Sequence, residues 1–313
     1  MKIDEVKNKL LQGFIKQKKE IVFMSDVTAN RLNEIIQDVL DENPSVFYIH
    51  EWECEIYTNR VCVKPQYIYK QKEAKEIKAK CNEQCRIILS RIENMSQIEA
   101  IKRLHDILVN NIKYEKNDNI DVHTLVGPLL YKKAVCDGFS KLFKYLLDSI
   151  GIENKIICGF GFLNTFDNSE KHMWNMLKIN GKWYHVDVTY DATLSVEGFI
   201  RYDYFLIDDE LIKIDHYYVP FIMCAAYDKS FYCYENSQCD VKNKNELVDY
   251  IKRQIRAEKK SFIVKMPNSF SYDVVERIIR KYVEEVMISE NVVNQHISLY
   301  INVSRNIVFV KIG

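Results

Sequence analysis

One dipeptide, Asn180-Gly181, constrains the fold of this chain more than any other local feature. It separates two runs in which apolar and polar side chains alternate, residues 172–179 and 182–189. Asn-Gly between alternating runs is typical of a two-residue type I′ turn, because both residues tolerate positive φ. The sequence therefore predicts an antiparallel hairpin that spans residues 172–189.

The turn also predicts which side chains of the hairpin are neighbours. A two-residue turn pairs Ile179 with Lys182, and the same pairing continued outward sets His172 opposite Thr189. His172 and Asp187 are then diagonal neighbours on one face of the hairpin. Their Cβ atoms should lie about 5–8 Å apart, within reach of a hydrogen bond between imidazole and carboxylate.

The other polar and aromatic residues of the hairpin have simpler interpretations. His185 lies on the same face nearer the turn, and we interpret it as a structural or rim residue, with His172 as the functional histidine. Trp174 and Trp183 are interpreted as hairpin packing rather than as the wall of a cleft. Asn175 projects from the opposite face, so we expect it to fix a loop rather than to touch a substrate.

A helix is predicted to start just after Cys136 and to stop at Gly151, a typical C′ residue. Its apolar residues recur at helical spacing: Phe139, Leu142, Phe143, Leu146, Leu147 and Ile150. Cys136 stands just before the first turn, where exposed N–H groups and the positive end of the helix dipole favour a thiolate. Gly138 leaves little bulk beside the sulfur. On this stretch alone, a small buried thiol at a helix start is an equal alternative.

Glycine is concentrated in the middle of the chain, since seven of the nine glycines lie between Gly127 and Gly198. Glycine marks tight turns and close backbone approach. We therefore predict a core at residues 93–222 between two α/β modules, residues 1–92 and 223–313. Both modules show the order helix–strand–helix–strand–strand, which fits either a duplication or two common small sandwiches. Neither contains a cluster typical of catalysis, so both are interpreted as scaffold or substrate-presenting modules.

Two more helices are predicted near residue 92. Segment 71–92 is typical of a polar surface helix with Cys81 and Cys85 on one face. The two cysteines could be metal ligands, but the sequence has no further Cys/His pair at ligand spacing to complete such a site. Ser96 and Glu99 form a capping box, which predicts the start of the next helix.

Composition excludes several function classes. Lys plus Arg and Asp plus Glu each total 44, so the chain lacks the basic footprint of a nucleic-acid binder. No apolar run approaches the roughly 20 residues of a membrane helix, and no apolar stretch follows the first charges as in a signal peptide. We expect a cytoplasmic protein, in which the nine cysteines are reduced thiols rather than a disulfide framework.

Cys136, His172 and Asp187 supply the residue types that acyl transfer through a thioester requires. The histidine accepts the thiol proton and later delivers it to the leaving amine, while the carboxylate orients the imidazole and stabilises its charged form.

Three segments that contain these residues resemble the transglutaminase-like superfamily of cysteine proteases and acyltransferases: Ala134-Val-Cys-Asp-Gly-Phe-Ser140, His172-Met-Trp-Asn175 and Gly181-Lys-Trp-Tyr-His-Val-Asp-Val-Thr-Tyr-Asp191. The resemblance covers about residues 93–217. It implies a papain-like α+β core with the cysteine at a helix N-terminus, against an antiparallel sheet that carries the histidine and the aspartate. It also assigns the nucleophile, base and orienting acid to Cys136, His172 and Asp187.

The resemblance implies a cysteine-dependent amide hydrolase that acts on peptide or protein amides. Richness in Ile, Lys and Asn is compatible with a bacterial source, and in bacterial-type members hydrolysis is favoured over protein crosslinking. The alternatives are a protein-glutamine acyltransferase and a catalytically silent binding or scaffold protein. The sequence does not predict the oligomeric state.

An oxyanion hole needs a donor beyond the backbone N–H of Cys136. Trp174, His123 and Tyr131 are candidates for substrate or oxyanion contact, and no spacing rule selects one of them. Asp203 and the acidic run 208–210 are reminiscent of calcium sites in the animal crosslinking enzymes, but they lack EF-hand spacing, and an acidic helix start is usually a cap. We expect no obligatory metal and no cofactor.

Overall fold

The computed structural model describes residues 2–162, 169–219, 228–235, 237–267, 270–292 and 295–313. The chain divides into two compact units: Met1–Ile157 with Met173–Lys178, and Cys158–His172 with Ile179–Gly313. The predicted boundary at residues 222–223 lies outside the described residues, and the predicted three-part organisation stays a prediction.

The first unit begins with a small three-stranded sheet and two helices. The elements are α1 (Ile3–Ile15), β1 (Ile21–Met24), α2 (Ala29–Glu42), β2 (Ile49–Ile56) and β3 (Arg60–Tyr67). The strand order is β1-β3-β2, all antiparallel. Both helices bury their apolar faces, which include Leu10 and Phe14 of α1 and Leu32 and Ile36 of α2. The predicted order of these five elements is confirmed.

Two helices follow, α3 (Gln71–Leu89) and α4 (Gln97–Asn111). The predicted capping box starts α4, because the Ser96 hydroxyl accepts the Glu99 N–H and the Glu99 carboxylate accepts the Ser96 N–H. Cys81 and Cys85 of α3 are buried, and the described residues show no metal-binding group that includes them.

The helix predicted at Cys136 is present as α5 (Cys136–Ser149), preceded by the short parallel pair β4 (Lys113–Tyr114) and β5 (Lys133–Ala134). Gly151 has a φ of +74°, the left-handed conformation that ends helices, as its position predicts. The core of this unit lies between α4 and α5, where Leu104, Leu108 and Phe143 are fully buried.

A five-stranded sheet carries the predicted hairpin. It contains β6 (Asn154–Gly161), β7 (Glu170–Ile179), β8 (Lys182–Val186), β9 (Phe205–Ile207) and β10 (His216–Tyr217), in the order β10-β6-β7-β8-β9. The helices α6 (Val188–Leu194) and α7 (Asp209–Ile212) lie between these strands in sequence.

The type I′ turn of the hairpin is confirmed, since Asn180 and Gly181 have φ values of +51° and +82°. The predicted length of the second strand is wrong, because β8 ends at Val186 and Thr189 is helical. The reason is Asp187, whose side chain caps α6 and ends the strand.

The second unit closes with another small sandwich: α8 (Lys244–Arg256), β11 (Ser261–Lys265), α9 (Tyr272–Ser289), β12 (Ile297–Asn302) and β13 (Ile307–Ile312). Its strand order, β11-β13-β12, repeats the first–third–second order of the N-terminal sheet. The shared element order that the sequence predicts is confirmed, and it fits both a duplication and two common sandwiches. The fold class is α+β. Within the described ranges, no helix has both the length and the apolarity needed to cross a bilayer.

Candidate active site

Cys136 is the first residue of α5 and is half-buried. Val135 precedes it in extended conformation, and its N–H donates to the carbonyl of Val122 at 3.1 Å. Helix α5 has 14 residues, and the first N–H groups and the dipole of such a helix favour negative charge at its start. The thiol therefore lies where the sequence predicts it.

The reason for a glycine at position 138, in the first turn of α5, differs from the predicted one. A Cβ at this position would lie 2.2 Å from the carbonyl oxygen of Val122 and 3.2 Å from that of Thr124. Glycine is therefore required because two backbone segments meet the helix there, rather than to leave room beside the sulfur.

His123, one of the oxyanion candidates, is linked to the residue after the cysteine. Its Nδ1 lies 2.9 Å from Oδ2 of Asp137, and this hydrogen bond raises the pKa of His123. Tyr131, the second candidate, is 50% exposed. A role in oxyanion binding stays a prediction for both residues.

Trp174 and Asn175 of β7 have packing roles. Trp174 is 0% exposed, which favours packing, and a contact with substrate stays a prediction. Asn175 is buried, and its Nδ2 donates to the backbone carbonyl of Ser140 at 3.0 Å. Asn175 therefore fixes helix α5, which corrects the prediction that it fixes a loop.

His172 and Asp187 form a direct hydrogen bond, as the hairpin arithmetic predicts. Nε2 of His172 lies 2.6 Å from Oδ2 of Asp187. The residues are 8% and 0% exposed, so water screens this contact little. The other oxygen of Asp187, Oδ1, accepts the backbone N–H groups of Thr189 and Tyr190 at 2.9 and 3.1 Å.

The charge of Asp187 and the tautomer of His172 follow from these contacts. Burial would raise the pKa of Asp187, but the positive charge of His172 and the hydrogen bonds that Asp187 accepts hold it below its ordinary range. Asp187 is therefore ionised and accepts a proton-bearing Nε2. In the neutral ring Nδ1 is then the basic nitrogen.

Aromatic packing fixes the plane of the imidazole. The ring of Tyr190 lies 4.4 Å from that of His172 at an angle of 31°. Gly161 of β6 makes room for both, because a Cβ there would lie 2.1 Å from the Tyr190 hydroxyl and 3.3 Å from Cδ2 of His172. Gly161 belongs to the glycine-rich part of the sequence, but no sequence pattern predicts this role.

A second histidine, His216 of β10, also contacts Asp187 and was missed from the sequence. Its Nε2 lies 3.1 Å from the same oxygen, Oδ2, that contacts His172. His216 lies 29 residues after Asp187 in the sequence, and no local sequence pattern predicts their contact. In the sequence, only its position next to Asp215 could have indicated a charged environment for His216.

Within the described part of the chain, one group of three side chains has ligand atoms close enough for a metal ion: His172, Asp187 and His216, within 4.8 Å of one another. Two ligands of one tetrahedral ion with bonds near 2.1 Å are separated by about 3.4 Å. The 2.6 Å between His172 and Asp187 is shorter, which is the spacing of a direct hydrogen bond.

The acidic residues whose types are reminiscent of calcium sites, Asp203, Asp208 and Asp209, form hydrogen bonds or ion pairs with other groups of the protein. Asp203 forms a two-pronged ion pair with Arg201, and Asp208 caps α7 through the N–H of Leu211. Asp209 lies 3.0 Å from Nε2 of His185. His185 is fully buried, and burial lowers its pKa, so it is a neutral structural residue rather than a rim residue.

The sequence model of the transglutaminase-like superfamily matches residues 88–188. This match covers the central part of the chain. The match includes Cys136, His172 and Asp187 and ends before residues 189–217, to which the resemblance was expected to extend. No curated protein matches the chain.

Three solved structures are similar to parts of the chain. A TGase has 12% identity and a TM-score of 0.32, over 54% of this chain and 50% of its own. A candidate cysteine protease from Cytophaga hutchinsonii has 13% identity and a TM-score of 0.31, over 44% and 61%. The arylamine N-acetyltransferase NAT3 of Bacillus cereus, described with a Cys-His-Glu triad, has 14% identity and a TM-score of 0.29, over 36% and 49%. The chain thus spans about half to three fifths of the length of each.

Proposed function

We propose that the transglutaminase-like domain is a cysteine-dependent amide hydrolase with Cys136 as nucleophile, His172 as base and Asp187 as orienting acid. The observation that carries the proposal is the buried hydrogen bond of 2.6 Å between His172 and Asp187. It directs Nε2 toward the carboxylate, which leaves Nδ1 as the nitrogen for proton exchange with a thiol. The position of Cys136 at the start of α5 supports its role as the nucleophile.

The reaction begins when Nδ1 of His172 takes the proton of the Cys136 thiol. The sulfur attacks the amide carbon, and the backbone N–H of Cys136 stabilises the oxyanion. As the carbon–nitrogen bond breaks, the imidazolium gives its proton to the leaving amine, and a thioester remains on Cys136. His172 then takes a proton from water, whose hydroxyl adds to the thioester carbon, and the proton returns to the sulfur as the carboxylic acid leaves.

Peptide or protein amides are the proposed substrates, and water is the proposed acyl acceptor. A protein-glutamine acyltransferase would use the same thioester with an amine in place of water. Incubation with candidate peptides in ¹⁸O-labelled water, with and without a labelled primary amine, separates these activities. Hydrolysis puts ¹⁸O into the carboxylic acid product, whereas transamidation gives a new amide that carries the amine label.

The reactivity of the thiols tests the proposal without a known substrate. Iodoacetamide is added near neutral pH, and the alkylation of each cysteine is followed by peptide mass spectrometry. Cys158 and Cys233 are exposed and serve as internal controls, whereas Cys136 is half-buried. Faster alkylation of Cys136 than of both exposed thiols would show chemical activation rather than access. Equal or slower alkylation would favour a catalytically silent scaffold, as would hydrolysis that persists in Cys136→Ala.

A further inference from the structure

His216, behind the His172–Asp187 pair, is held between two carboxylates. Its Nε2 lies 3.1 Å from Oδ2 of Asp187, and its Nδ1 lies 2.8 Å from Oδ1 of Asp215. An ionised carboxylate only accepts hydrogen bonds, so both ring nitrogens must carry protons for both contacts to be favourable. His216 therefore has the contacts of a buried imidazolium cation.

The charges around His216 support this state. Burial would lower the pKa of His216, but the hydrogen bonds to Asp187 and Asp215 and their negative charges outweigh burial and raise it. Burial would likewise raise the pKa of Asp215, but the charge of Arg305, with a smaller contribution from His216, lowers it. The carboxyl groups on both sides of His216 are therefore ionised at neutral pH.

Further ionisable side chains lie around His216. Its ring lies 5.5 Å from that of His172, 4.9 Å from that of Tyr190 and 5.5 Å from that of Tyr204. Burial raises the pKa of Tyr204 well above its ordinary value and lowers the pKa of His185, which also interacts with His216. Beyond this shell, a guanidinium holds Asp215.

That guanidinium belongs to Arg305, between β12 and β13 of the C-terminal sandwich. Its Nε and Nη2 donate to the two oxygens of Asp215 at 3.2 and 3.1 Å, and Nη2 also donates to the carbonyl of Leu211 at 2.7 Å. The hydroxyl of Tyr204 donates to Asp215 at 2.6 Å. A two-pronged contact of this kind fixes the plane of the carboxylate as well as its charge.

We propose that His216, Asp215 and Arg305 are positioning residues that hold Asp187 for its contact with His172. The side chains form a buried row of alternating charge that ends on a residue of the C-terminal sandwich. This inference rests on the proposed function, and it gives the C-terminal sandwich a part in catalysis that the sequence did not indicate. The cation at His216 has a second effect, because it opposes positive charge on His172 and so favours release of the proton from the imidazolium.

The first experiment reads the imidazole rings directly and requires no activity. The full chain is labelled with ¹⁵N-histidine, and its ring signals are assigned with His216→Gln and followed by NMR as the pH is raised. We expect both nitrogens of His216 to be protonated near neutral pH and Nε2 of His172 to carry its proton. In His216→Gln, the pH at which His172 loses its second proton should rise, because a positive charge whose ring lies 5.5 Å from that of His172 is removed. A neutral His216, or an unchanged titration of His172, would overturn the inference.

The second experiment uses variants that keep the charges. Arg305→Lys keeps the positive charge but cannot make the two-pronged contact with Asp215. Arg201→Lys is the matched control, since Arg201 is equally buried, pairs in the same way with Asp203 and donates to the carbonyls of Tyr300 and Ile307 without contacting Asp215. Both variants should lower the melting temperature.

Only Arg305→Lys should disturb the His172 signals and slow alkylation of Cys136, by about 10- to 100-fold, because a misplacement of ~1 Å costs on the order of 100-fold. Equal effects of the two variants would contradict a positioning role. If wild-type Cys136 shows no activation over Cys158 and Cys233, the proposed function fails, while the NMR signals of His172 and His216 still decide the inference.

Discussion

Asp187 uses one carboxylate oxygen to orient His172 and the other to start a helix. Oδ2 lies 2.6 Å from Nε2 of His172, and Oδ1 accepts the N–H groups of Thr189 and Tyr190 at the start of α6. The end of the strand, the start of the helix and the orientation of the imidazole are therefore set by the same side chain.

The two tasks of Asp187 can be separated by substitution. Asp187→Asn keeps an oxygen that can cap α6 but loses the charge, whereas Asp187→Ala loses both. We expect either change to slow alkylation of Cys136 by on the order of 100-fold, as for loss of a group that supports general acid–base catalysis. Asp187→Ala should also have a free energy of unfolding about 1 kcal/mol below that of Asp187→Asn, the usual worth of a helix cap. Urea unfolding measures the difference, and equal stabilities would show that the cap contributes nothing.

The raised pKa of His216 predicts how stability depends on pH. A histidine with a pKa above its ordinary value of 6.5 stabilises the fold fully below that value, and the contribution is lost as the pH rises through the folded pKa. The free energy of unfolding of the wild type should therefore exceed that of His216→Gln most at low pH, and the gap should narrow as the pH rises. Urea unfolding of both proteins from about pH 6 to about pH 9 checks the sign. A gap that widens with pH would mean that His216 is neutral in the folded protein.

The sequence was sufficient for the parts of the site that depend on local pattern. Asn180-Gly181 predicted the turn, and the arithmetic of the turn predicted that His172 and Asp187 are within hydrogen-bonding distance. The apolar spacing that follows Cys136 predicted the helix. These predictions succeeded because turns, caps and helical periodicity are determined by residues close in the chain.

The residues that the sequence did not reveal reach the site through the fold. Arg305 lies 90 residues from Asp215, and His216 lies 29 residues from Asp187. Their contacts exist only once β10 and the C-terminal sandwich are in place, and periodicity carries no information about such distances. The strand end at Asp187 was missed for a local reason, since an aspartate that follows an alternating run can continue a strand or cap a helix.

Gly161 should be intolerant of a side chain because of the rings beside it. An alanine Cβ would lie 2.1 Å from the hydroxyl of Tyr190, a ring already packed against His172 and Tyr204 at 4.4 and 5.2 Å. We expect Gly161→Ala to lower the free energy of unfolding by about 1–3 kcal/mol, as overpacking does, and to slow alkylation of Cys136.

Gly198→Ala is the control for Gly161 in the same unit. Gly198 has a φ of +80° and open space around its Cα, so alanine there brings only backbone strain of about 1 kcal/mol. Alkylation of Cys136 in Gly198→Ala should be as fast as in the wild type. Unchanged alkylation in Gly161→Ala, measured beside this control, would show that the Tyr190 ring does not hold His172 in place.

Substitution of Gly138 should have a corresponding effect on Cys136, the proposed nucleophile. An alanine Cβ would lie 2.2 Å from the carbonyl oxygen of Val122, which also accepts the N–H of Val135 just before Cys136. Since backbone cannot move aside as a flexible side chain can, the start of α5 must shift and this hydrogen bond must weaken. We expect Gly138→Ala to abolish the preferential alkylation of Cys136 and to lower the free energy of unfolding by about 1–3 kcal/mol. Gly151→Ala, at the other end of the same helix, has open space and a φ of +74°, so it should lose about 1 kcal/mol of stability but keep the preference for Cys136. Peptide mass spectrometry after a short iodoacetamide pulse measures the preference, and a Gly138→Ala protein that still alkylates Cys136 first would show that its reactivity does not depend on the position of the helix start.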